Sequence, residues 1–151
     1  MSASDASKTY YLQSKTPECF KPFLSAFPDN VALLTTLETN RDAGYEAISK
    51  APPPSVRYEQ FRMLAYARTV VTIEPVLDFD LPIFVACIRE IRPEYVWLGF
   101  NSKPESVELP EPPVEKVQEL ANELIGTGIE VRGVKLRALS SAGPTGRADV
   151  P

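Results

Sequence analysis

The sequence predicts an α/β fold: a partial (β/α) barrel of about five parallel strands alternating with four helices. Three observations predict it. β-branched apolar runs of strand length alternate with amphipathic stretches of helical spacing. Each run ends in a polar cluster, as at Gln13-Ser14-Lys15 and Glu38-Thr39-Asn40-Arg41. The central unit, Val70-Val71-Thr72-Ile73-Glu74-Pro75-Val76-Leu77-Asp78-Phe79-Asp80, reads as a strand buried on both faces, an acidic strand end and a helix start. Right-handed crossovers then require a parallel sheet, with helices on one face if it curves or on both if it stays open. Five strands are too few to close an eight-stranded barrel.

Taken in order, residues 1–8 are small and polar and read as a loose tail. Thr9 to Gln13 is a short first strand. Thr16-Pro17 starts a helix with a hydroxyl cap and a proline at its first position. Phe20, Phe23, Leu24 and Phe27 then form a buried aromatic face. Val31 to Leu37 is the second strand. An irregular stretch from Asp42 to Pro54 follows, with a turn of helix at residues 44–48, and a connection of that length is commonly functional. Ser55 opens a helix through about Tyr66, with Tyr58, Phe61, Leu64 and Ala65 facing inward.

After the third strand, Asp80 is the expected N-cap of a helix whose stripe is Leu81, Phe84, Val85, Ile88 and Ile91. Arg92-Pro93 ends it. The fourth strand is Tyr95 to Phe100, running into Asn101-Ser102-Lys103. Leu109-Pro110-Glu111-Pro112-Pro113 should be extended. The last helix carries Val114, Val117, Leu120, Ala121, Leu124 and Ile125 on one face and stops at Gly126 or Gly128. Ile129 to Leu136 is a final, more exposed strand, and residues 138–151 read as a disordered tail. The domain therefore spans residues 9–137.

Composition narrows function. The net charge is −4 with scattered basic residues, which argues against a nucleic-acid surface for this chain alone. No apolar run reaches the roughly 18 residues of a membrane-spanning helix, and no signal peptide is visible, so a cytoplasmic location is expected. The absence of histidine excludes a Ser-His-Asp triad, a Cys-His pair and His-ligated zinc. The two cysteines, Cys19 and Cys87, fall in different helices and read as buried helix positions rather than ligands, so no metal site is expected.

The candidate site residues lie at strand ends, where parallel α/β folds place their chemistry. Glu74 and Asp78 are the candidate catalytic carboxylates, as an acid/base pair or a seat for a cation. The bland readings are that Glu74 accepts loop N–H groups and that Asp78 caps a turn. Lys15 is a point charge for a carboxylate or phosphate, or simply a solvated lysine. Glu38, Asn40 and Arg41 cluster at one strand end as candidate cofactor-binding groups. Arg41 could equally form a structural ion pair with Glu38 or Glu74. Asn101, Lys103, Lys135 and Arg137 read first as turn or solvated-edge residues.

The ordered set Gln13-Ser14-Lys15, Thr36 to Arg41, Thr72 to Asp80, Gly99 to Lys103 with Leu109 to Pro112, and Val131 to Leu136 resembles the later half of uncharacterised proteins similar to radical S-adenosylmethionine enzymes, near the spore photoproduct lyase branch. The resemblance implies a TIM-type barrel, S-adenosylmethionine and a four-iron, four-sulfur cluster held by a Cys-x3-Cys-x2-Cys loop. It also implies that Lys15 faces the methionine carboxylate or ribose, Glu38 and Asn40 the ribose or amino group, and Glu74 the lower wall of the site. This chain lacks the cluster loop, so any radical chemistry requires a cluster-binding half, either a missing N-terminal half-barrel or a cysteine-bearing partner. Two other readings stand beside it: a non-catalytic half-barrel that dimerises or pairs with such a partner, and a metal-free barrel enzyme using Glu74 as base.

Overall fold

The computed structural model describes residues 5–100 and 110–133. Five parallel strands form one open sheet in the spatial order β1-β2-β3-β4-β5. They are β1 (Tyr10–Gln13), β2 (Val31–Thr36), β3 (Thr69–Ile73), β4 (Tyr95–Leu98) and β5 (Glu130–Arg132). A 3-10 helix (Pro17–Ala26) and three α-helices, α1 (Pro54–Met63), α2 (Leu81–Ile91) and α3 (Val114–Gly126), connect them in strict alternation. Neighbouring helices pack side by side, the 3-10 helix on α1, α1 on α2, and α2 on α3.

The alternation of side chains along each strand explains the layering. Val31, Leu33, Val71, Ile73, Val96 and Leu98 share one face and pack with Phe61, Phe84, Ile88, Val117, Leu120 and Leu124 of the helices. The opposite face carries Gln13, Leu34, Thr36, Val70, Thr72, Tyr95 and Trp97, and no helix among the described residues packs on it. The central strands are buried as their β-branched composition predicts, whereas all four residues of β1 are exposed.

Several local expectations change. The first helix is 3-10 rather than α, with Pro22 inside it, where the missing N–H and the ring exclude the ordinary i→i−4 bond. Thr16 occupies its N-cap position without a side-chain cap bond. Pro17 and Phe20 are buried, but Phe23 is 56% exposed at the margin of the stripe. Cys19 is exposed on the outer side of the same helix and Cys87 is half-buried, so neither is a fully buried helix position. Helix α1 ends at Met63, and Ala65 turns outward with φ 50° instead of facing the core. Ile125 lies off the α3 stripe at 55% exposure.

The short helical turn at Tyr45–Ala47 forms as expected. Of the leading residues, 5–8 form a turn in which the Asn30 amide donates to the Asp5 and Lys8 carbonyls at 3.1 and 2.9 Å. The expectations for Asn101, Ser102, Lys103, Leu109, residues 134–137 with Lys135 and Arg137, and the tail 138–151 lie outside the described residues. No helix among the described residues is long and apolar enough to cross a membrane.

Candidate functional site

The C-terminal ends of β2 and β3 bring the predicted polar residues into two separate groups. The first surrounds Glu38, which lies two residues past the end of β2 and is only 2% exposed. Its carboxylate meets the Arg57 guanidinium of α1 in two hydrogen bonds of 3.0 and 2.9 Å, and it accepts the Tyr45 hydroxyl at 2.5 Å. Lys15 stands 3.6 Å away at the rim. Arg57 also donates to the Pro52 carbonyl at 2.9 Å and to the Thr36 carbonyl. Burial alone would raise the Glu38 carboxyl. The hydrogen bonds from Arg57 and Tyr45, with the charges of Arg57 and Lys15, hold it below the usual carboxylate range instead. The Tyr45 phenol is pushed up to about 12 by its own burial and by the bond to Glu38.

Arg57 was not among the predicted site residues. A signal existed: it lies three residues after Pro54 and four before Phe61, on the inward stripe of α1. A charge there requires a buried partner, and Glu38 at the end of a buried strand is that partner.

The second group is Asn40, Arg41, Asp78 and Asp80. Arg41 pairs with neither Glu38 nor Glu74. It donates to Asp78 at 2.9 Å and to both oxygens of Asp80 at 3.0 and 2.7 Å. Lys116 of α3 closes on the other Asp78 oxygen at 2.7 Å. Asp80 sits at the N-cap position of α2, but its carboxylate makes no cap bond because Arg41 and Asn40 engage it. The Asn40 carbonyl oxygen instead accepts the Asp80 backbone N–H at 2.8 Å. Arg41, then Asn40, lower Asp80 to about 2; Lys116, then Arg41, lower Asp78. These contacts stitch the connections after β2 and β3 to α3. Leu77 adds a backbone bond to the Glu38 carbonyl at 2.9 Å, and Thr39 one from its hydroxyl to the Asp78 carbonyl at 2.6 Å.

Glu74 stands apart from both groups. It follows β3 on the helix-free side, at the end of a shallow groove of about 500 Å³ lined by Gln13, Thr36, Thr72, Tyr95, Trp97 and Phe100, among others. The Trp97 indole N–H donates to Glu74 Oε2. A threonine pair, Thr36 and Thr72, joins β2 to β3 beneath it at 2.7 Å, and Gln13 donates to Thr36 at 3.1 Å.

The arrangement therefore separates the candidate carboxylates. Asp78 is neutralised by two cations, whereas Glu74 faces an open groove. Of the cofactor-binding candidates, Glu38, Asn40 and Arg41 are committed to protein partners, and Lys15 keeps a 45% exposed side chain. Among the described residues, no group of three or more His, Cys, Asp or Glu side chains is placed to hold a metal ion.

The fold and these two groups define an α/β protein built on an open, sequentially ordered parallel sheet, with polar strand ends and one face that no described helix covers. No family model, curated protein or solved structure matches this chain.

Proposed function

We propose that the chain is the closing half of a (β/α) barrel whose bare sheet face is the interior of a ligand site, and that this barrel is of the radical S-adenosylmethionine type. The observation that carries the reading is the strand order. A parallel sheet that never reverses direction of winding, with its helices packed as successive neighbours, is the arrangement of consecutive barrel strands. The four-iron, four-sulfur cluster does not fit this chain: two cysteines and no histidine cannot supply its three thiolates. Another segment or chain would have to hold it, and no step of such chemistry is assigned to residues here.

S-adenosylmethionine fits in part. Lys15 offers an accessible ammonium for a carboxylate, whereas the carboxylate of Glu38 already serves Arg57 and Tyr45. In this reading Glu74 is the acid/base candidate, and Asp78, with Glu38, Asn40 and Arg41, positions the loops around it. The test is equilibrium dialysis of the folded chain against S-adenosylmethionine. Saturable binding weakened at least tenfold by Lys15→Ala supports the reading; no binding to the folded chain, with or without a cysteine-bearing half, sinks it.

A specific observation favours a second reading, a half-barrel assembly module that pairs with a second copy or a partner. Strand β1 leaves one edge of the sheet unpaired among the described residues, with Tyr10, Tyr11 and Leu12 exposed at 40%, 47% and 37%. Such an edge is a ready template for another strand. Light scattering discriminates: a dimer dissociated by Leu12→Lys supports assembly through β1, and a monomer at high concentration removes self-assembly.

A further inference from the structure

The groove on the bare face has a chemical character of its own. Its polar lining is rich in acceptors. Gln13 spends one of its two amide N–H groups on Thr36 and keeps its carbonyl oxygen as an acceptor. Thr36 and Thr72 are bonded to each other, and the Thr72 hydroxyl lies 3.4 Å from the Thr35 carbonyl. Among the described residues, Glu74 contributes the one formal charge of the lining and no basic residue lines the groove.

The Glu74 carboxylate is held rather than free. The Trp97 indole fixes Oε2 from one side. The Gly99 backbone backs it from another, so closely that a Cβ at Gly99 would lie 2.9 Å from both Glu74 Cδ and Oε2. Oε1 accepts from no described residue. The groove carries the aromatic rings of Trp97, which touches Glu74, and of Tyr95 and Phe100. A carboxylate next to aromatic rings attracts cations twice, through its charge and through the ring quadrupoles.

The face already binds one such group internally: the Arg132 guanidinium of β5 lies 3.8 Å from the Tyr95 ring centroid. A guanidinium or amidinium suits this lining better than a compact ammonium. Its plane stacks on rings while its edge presents parallel N–H donors to a carboxylate. A neutral polyol would leave the Glu74 charge uncompensated.

We propose that this groove binds a small molecule bearing a planar guanidinium or amidinium cation, seated on Glu74 and stacked beside Trp97. The proposal rests on the reading of the bare face as a ligand-facing interior, and it names the substrate class of that site. A volume of about 500 Å³ suits a small molecule of this kind.

Trp97 is the single tryptophan of the chain, and its indole touches Glu74, so its emission reports on the site directly. The experiment is titration of the full chain with benzamidinium and with its neutral isostere benzamide, read by Trp97 fluorescence and by saturation-transfer NMR of the ligand. Benzamidinium should bind saturably and lose affinity with added salt, and benzamide should bind at least tenfold more weakly. Glu74→Gln, checked as folded by circular dichroism, should weaken benzamidinium at least tenfold in the NMR readout. Equal binding of the two probes, or unchanged affinity in Glu74→Gln, overturns the proposal. The dialysis against S-adenosylmethionine is read separately with Lys15→Ala. Benzamidinium binding without S-adenosylmethionine binding removes the radical-enzyme assignment and keeps the groove; the reverse removes the groove.

Discussion

Arg57 and Glu38 form a two-point ion pair in the interior, the guanidinium 0% and the carboxylate side chain 3% exposed. It links the middle of α1 to the end of β2 and anchors the connection that carries Asn40 and Arg41. A buried pair contributes little net stability against an apolar replacement, but removing one partner strands the other charge.

Arg57→Met should therefore destabilise the chain by about 3–5 kcal/mol, because among the described residues Glu38 would keep only Tyr45 and the rim Lys15 as partners. The double variant Arg57→Met with Glu38→Leu should recover most of that loss. Urea denaturation followed by circular dichroism measures both; a single variant as stable as the parent would show that the pair is not holding the fold.

Acid stability should fail late. Asp80 is lowered from 3.8 to about 2, and Asp78 and Glu38 are lowered as well. A depressed folded-state value means the contribution is complete above the unfolded value and lost as pH falls through the folded one. Stability should be flat down to about pH 4 and decline between about pH 4 and pH 2. Arg41→Gln removes the largest influence on Asp80 and should move that decline toward higher pH. An unchanged acid titration of ellipticity in Arg41→Gln would show the cluster to be energetically idle.

Gly99→Ala tests how Glu74 is seated. The added methyl would come within 2.9 Å of the carboxylate, and since the obstacle is the end of a flexible side chain, Glu74 should swing away from Trp97. The expected result is a shifted Trp97 emission maximum with a fold stability changed by less than about 1 kcal/mol. Emission identical to the parent would mean that Gly99 does not constrain the carboxylate.

Gly133→Ala meets backbone instead. A Cβ there would lie 2.1 Å from the Leu98 carbonyl oxygen, and neither strand can yield cheaply. The substitution should cost about 1–3 kcal/mol and loosen the β4–β5 pairing. Amide hydrogen exchange at Val131 and Arg132 checks it: protection retained in the variant would contradict the geometry.

Local pattern made much of this protein legible. The apolar runs at Val31–Thr36 and Thr69–Ile73 are strands whose alternate side chains pack under the helices, and the stripe Phe84, Val85, Ile88 is the buried face of α2. Strand ends announced themselves by polar clusters, so the sequence alone located Glu38, Arg41, Glu74 and Asp78 at one end of the sheet. Pairing among them was not legible. Arg41 had Glu38 and Glu74 as partners nearby in the sequence pattern, yet the fold gives it Asp78 and Asp80.

The physical reason is range. Periodicity and turn chemistry act over a few residues, and they determined the alternating α/β order, the helix faces and the polar strand ends. Which charge meets which depends on strand register and on the packing of helices tens of residues away. Only tertiary structure decided that Arg57 reaches back across 19 residues to neutralise Glu38, and that Trp97, 23 residues after Glu74, turns its indole to hold that carboxylate over a bare face.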